Sequence, residues 1–85
     1  MENQGLTQQA ALPSYGQKAV GVSFNPSGDP TVSLLKQQYA DIIDTLVRMR
    51  LENGHSTETM RLCSVAITEA QSAQMWAVKA ATWKD

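Results

Sequence analysis

The sequence predicts an all-α protein in which an N-terminal extended arm precedes a long antiparallel αα-hairpin, assembled as a homo-oligomer. Three observations carry this. Apolar residues from Val32 to Met49 recur at spacings of three and four, the period of one helix face. Asn53-Gly54 stops that helix, and Ser56 or Thr57 can cap a second one only a few residues later. The second helix carries Val65, Ile67, Met75, Trp76, Val78 and Trp83, which point in too many directions for one partner helix to cover.

Along the chain, residues 1–18 hold Gln4, Gln8, Gln9 and Gln17 with Gly5, Pro13 and Gly16 and show no apolar period, so they are read as a mobile arm. From Ala19 to Phe24, Val20, Val22 and Phe24 alternate with small or polar residues, which reads either as an extended segment draped over the helices or as a plain loop. In "FNPSGDPTVSLLK", Asn25 precedes a proline, Ser27 and Gly28 favour a turn, and Asp29-Pro30 is an N-cap with proline at the first helical position. Helix one is expected over about 30–52, with Val32, Leu35, Tyr39, Ile42, Ile43, Leu46 and Met49 as its apolar stripe. Helix two is expected over about 57–83, with Glu58 favourably placed in its first turn. Small residues, among them Ala66, Ala70, Ala73, Ala77, Ala80 and Ala81, keep its surface narrow. Each helix should be roughly 35–40 Å long, and the hairpin domain should span 19–85.

A chain of 85 residues makes one small domain that buries little of its surface, and oligomerisation is one way to stabilise it. Cys63 is the single cysteine, so an intrachain disulfide and a thiolate metal cluster are excluded, in keeping with a reducing cytoplasm. The sequence shows no signal-peptide pattern, no apolar run long enough to cross a bilayer and no lipidation motif, so a soluble protein without a membrane partner is expected. A formal net charge of −1 argues against DNA or long RNA as a partner. A compact ligand with two or three phosphates is compatible with it, because symmetry can bring one cation from each of several protomers to the same ligand.

The search for catalytic chemistry is negative: no phosphate loop, dinucleotide fingerprint, paired histidine ligands or nucleophile elbow is present. Asp41 and Asp44, with Arg48 four residues after Asp44, read as a solvated helix face, and His55 stands alone in the turn. No enzyme activity, metal or cofactor is expected. Two groupings allow binding. Lys36 lies early in helix one, close in sequence to Phe24 and to the turn that contains Asn25 and Ser27; a cation, turn amides and an aromatic face are what a nucleotide requires. The competing reading makes Lys36 a solvated lysine and Phe24 a core residue. Arg61, Ser64 and Thr68, at i, i+3 and i+7, set a guanidinium and two hydroxyls on one face of helix two; repeated about a symmetry axis, this face would ring an anion with donors.

"FNPSGDPTVSLLKQQYADIID" and "RLCSVAITEAQSAQMWAVKAATWKD" together resemble the phage anti-CBASS cyclic-oligonucleotide sponges, whose hairpin domain is shared with anti-Thoeris sponges; the similarity covers about Val20 to Asp85. The resemblance implies a homohexamer that acts in the host bacterial cytoplasm and sequesters immune messengers without cleaving them. It implies cyclic dinucleotides such as cGAMP between protomers and cyclic trinucleotides near threefold axes. It places Lys36 at the phosphate contact, with Phe24 or Tyr15 as the stacking aromatic, and it places Arg61 and Thr68 at the trinucleotide site, in agreement with the face that these two share with Ser64. A glycocyclic ADP-ribose sponge and a hairpin that only binds proteins are the alternatives.

Overall fold

The computed structural model describes residues 12–85 and contains three helices, which are named here α1 (Tyr15–Val20), α2 (Pro30–Leu51) and α3 (Thr57–Ala81). No strand occurs among the described residues. The hairpin of α2 and α3 has the expected boundaries to within two residues. Asp29 caps α2 by accepting from the Thr31 amide at 2.9 Å, with Pro30 at the first helical position. Ser56 caps α3 through the Thr59 amide at 3.1 Å, and Glu58 lies in the first turn. Between the helices, Gly54 has φ +88°, a left-handed conformation that the turn needs and that glycine adopts without a Cβ clash.

The reading of residues 1–18 as an arm, and of Ala19–Phe24 as extended, is corrected where the chain is described; residues 1–11 lie outside the described residues. Tyr15–Val20 is a helix, so the boundary placed after residue 18 falls inside an element. Its start is a capping box: the Ser14 hydroxyl accepts from the Gln17 amide at 3.1 Å while the Gln17 carboxamide accepts from the Ser14 amide at 2.9 Å. Gly21, at φ 63°, ends it, and the Val22 amide returns to the Gln17 carbonyl at 3.0 Å. Six residues containing a glycine would not hold a helix alone, so tertiary contact supplies what propensity does not.

That contact is with α2. Gly16 is buried, and its backbone lies so close to α2 that an added Cβ would meet the Ala40 carbonyl oxygen at 2.2 Å. The Gly16 amide donates to Asp44 Oδ1 at 2.7 Å, and Gln17 Nε2 donates to Gln37 Oε1 at 3.2 Å. Asp44 is therefore not a merely solvated acid, and the partner of Arg48 is Glu52 at 3.6 Å. The core cluster joins Val20, Ala40, Ile43 and Ile67 across all three helices. On α2 the buried residues are Val32, Lys36, Ala40 and Ile43, so the buried stripe runs through Lys36 and Ala40 and leaves Ile42 exposed.

The fold is 12 Å thick along its shortest axis, about one layer of helices. A single layer has two open faces, and Met75, Trp76 and Trp83 stay exposed, with Trp76 at 68 %. Among the described residues, none covers these side chains. No described helix is long and apolar enough to cross a membrane.

Replacing the α3 cap, Ser56→Ala, should lower unfolding stability by about 1 kcal/mol with an unchanged denaturant slope, measured by urea titration at fixed protein concentration. An unchanged midpoint would show that this cap does not limit the hairpin.

Candidate ligand-binding site

A cleft of about 300 Å3 opens where the segment between α1 and α2 crosses the end of α3, and Phe24, Asn25, Pro26, Ser27, Val32, Lys36, Val78 and Thr82 line it. The turn that forms one wall is held by its own polar groups. Asn25 Nδ2 donates to the Asp29 carbonyl at 2.9 Å and to Ser33 Oγ at 3.0 Å. The Ser27 hydroxyl donates to Asn25 Oδ1 at 2.7 Å and accepts from the Asp29 amide at 3.1 Å. Asn25 and Ser27 line the cleft, but these bonds occupy both amide protons of Asn25 and the hydroxyl proton of Ser27. Their contribution is to fix the wall.

Lys36 is only 6 % exposed, which rules out the ordinary solvated lysine. Its ammonium donates to the Gly21 carbonyl at 3.0 Å and to the Phe24 carbonyl at 2.5 Å, and lies 5.3 Å from the centroid of the Phe24 ring. An ammonium has three N–H donors, so these two bonds leave one without a hydrogen-bond partner among the described residues. Phe24 is 69 % exposed, so it is not a core residue either, and its ring offers an open face beside the cation. Among the described residues Lys36 is the one charged residue in the lining, which contains no described carboxylate. A largely desolvated cation without a counter-charge in the cleft, next to an aromatic face and the apolar side chains of Val32 and Val78, suits an anion that carries a flat ring.

The structure brings Phe24, Asn25, Ser27 and Lys36 together and leaves Tyr15 apart. Tyr15 begins α1 next to Gly16, whose amide is bonded to Asp44, two helical turns or roughly 12 Å along α2 from Lys36.

Arg61, Ser64 and Thr68 line a second, shallower depression with Val65 and Glu69, so the three residues do share one face. Their chemistry differs from the sequence expectation. Arg61 makes a bidentate pair with Glu58, at 3.0 and 2.7 Å, which holds the Glu58 carboxyl below its usual range and raises Arg61. Ser64 donates to the Met60 carbonyl at 3.2 Å and accepts from Arg50 Nη1 at 3.0 Å. Arg50, from the end of α2, is the residue that sequence reasoning missed; it sits 14 positions from Ser64, and only the hairpin register brings them together.

The protein-family model described as Acb2/Tad1, hairpin domain, matches residues 17–82. Neither the curated proteins nor the solved structures gave a match.

Lys36→Ala should destabilise the protein even without ligand, by about 1–3 kcal/mol, because the carbonyls of Gly21 and Phe24 lose a charged donor. The Phe24 amide should exchange faster with solvent deuterium. Wild-type stability together with wild-type exchange at Phe24 would mean that the ammonium does not hold this segment.

Proposed function

The chain belongs to the Acb2/Tad1 hairpin-domain family, and on that premise we propose that it is a phage immune antagonist that sequesters cyclic oligonucleotide second messengers without cleaving them. Membership supports a sponge-type antagonist in general. The ligand class is our inference, and the observation that carries it is the cleft in which a buried lysine and an open phenylalanine ring share one wall. In this reading the free donor of Lys36 takes a phosphate, a nucleobase stacks on Phe24, and Val32 and Val78 exclude water from the apolar side. The ligands are cyclic dinucleotides such as cGAMP and, on the Arg61, Ser64 and Thr68 face, cyclic trinucleotides. Arg50 adds a second guanidinium to that face.

Sequestration needs binding and nothing more. At nanomolar affinity, on the order of −12 kcal/mol, sites in excess of the messenger keep its free concentration below the threshold of a CBASS effector in the infected bacterial cytoplasm. A homohexamer would cover the exposed apolar faces of the hairpin. Glycocyclic ADP-ribose, the alternative ligand, offers the same phosphate and adenine chemistry and belongs in the same screen.

A thermal-shift screen of cyclic dinucleotides, cyclic trinucleotides and cyclic ADP-ribose isomers should raise the melting temperature with cGAMP, corresponding to about 2.7 kcal/mol at a hundredfold excess over Kd. Heat denaturation should then release the nucleotide intact. Recovery of linear product would reveal an enzyme, and a melting temperature indifferent to every ligand would favour a hairpin that binds only proteins. Arg61→Ala should weaken cyclic trinucleotide binding and spare cGAMP. Equal loss of both ligands in a protein that elutes like wild type would contradict two separate sites.

A further inference from the structure

We infer that Gly16 and Asp44, outside the cleft, are positioning residues for it: by docking α1 on α2 they set where the Lys36 ammonium and the Phe24 ring lie. The inference rests on the sponge reading and extends it to residues that touch no ligand. The chain of contacts is continuous. Gly16 lies against α2 at a distance that no side chain allows, since a Cβ would fall 2.2 Å from the Ala40 carbonyl oxygen and 2.7 Å from Asp44 Oδ1. The Gly16 amide is anchored by the Asp44 carboxylate at 2.7 Å. From that anchor α1 runs one and a half turns to Gly21, the residue that ends it.

The Gly21 carbonyl accepts from Lys36 Nζ at 3.0 Å and from the Phe24 amide at 2.9 Å, and the Phe24 carbonyl takes the second bond of Lys36. Both carbonyls that hold the ammonium therefore sit on a segment whose position is set by α1. Lifting α1 from α2 would carry Gly21 and Phe24 away, turn the ring, and let water reach Lys36. A six-residue helix has no stability of its own to resist this, so the dock at Gly16 decides where the segment lies. The α2–α3 hairpin keeps its own caps and Ile43–Ile67 packing, so it persists when α1 lifts.

The test compares full-length wild type with Gly16→Ala, Asp44→Ala and Asp44→Asn, reading cGAMP affinity by calorimetry and amide protection by hydrogen exchange. Gly16→Ala and Asp44→Ala should bind cGAMP about tenfold more weakly or worse, the size expected when a charge-assisted contact is misplaced. In both, the Val22 and Phe24 amides should lose protection while those of α2 and α3 keep theirs. Asp44→Asn retains a carbonyl oxygen for the Gly16 amide and should behave close to wild type in both readouts. Wild-type affinity in Gly16→Ala and Asp44→Ala with Val22 and Phe24 unprotected would overturn the inference, because it would show that docking does not position the site. Unchanged protection in both variants would overturn it too. If wild type itself does not bind cGAMP, the sponge reading fails, and the exchange comparison alone decides whether Gly16 and Asp44 hold the Lys36 segment.

Discussion

The arrangement rests on one ammonium group. Taking a lysine out of water costs several kcal/mol unless its protons find acceptors, and the Lys36 protons find two, the carbonyls of Gly21 and Phe24. Those bonds tie the end of α1 and the following turn to the first third of α2, so a single side chain organises three segments that local propensity would leave loosely related. They do not neutralise the charge. With no carboxylate among the described residues of the cleft lining, the positive potential lies in a place where water competes weakly, and there it is worth more than at an open surface. In the proposed function the structural staple and the binding cation would be the same atom, which would couple the order of the segment to occupancy by an anion.

The hairpin was legible because its signals are local. Asp29-Pro30, Asn53-Gly54 and Ser56 each do their work within a few residues, and the helix boundaries follow from them. Helix α1 had local signals as well, a Ser14–Gln17 capping box and Gly21, but in a six-residue span with an internal glycine they were outweighed by low propensity. What makes it a helix is the fit of Gly16 against Ala40 and Asp44, a contact 24 and 28 residues distant that no local pattern announces.

The cleft was legible in membership and not in mechanism. Phe24, Asn25, Ser27 and Lys36 do meet, as their closeness in sequence suggests. That Asn25 and Ser27 spend their donors on the turn, and that Lys36 belongs to the buried stripe of α2, depend on three-dimensional packing. The same holds for Arg50 at Ser64 and for Glu58 at Arg61, which change the character of the second face from a row of free donors to a set already engaged. An anion arriving there must compete with Glu58, whereas one arriving at Lys36 meets no carboxylate among the described residues of the lining.

Both open faces of the one-layer fold bear on the oligomeric state, whereas the position of the ligand decides the function. The most direct measurement is a crystal structure of the full chain with cGAMP bound. It should show a phosphate oxygen within hydrogen-bond distance of Lys36 Nζ, a base stacked on the Phe24 ring, an intact phosphodiester ring, and Gly16 still seated against Ala40. A nucleotide bound elsewhere, with Lys36 still enclosed by its two carbonyls and no phosphate beside it, would contradict the account.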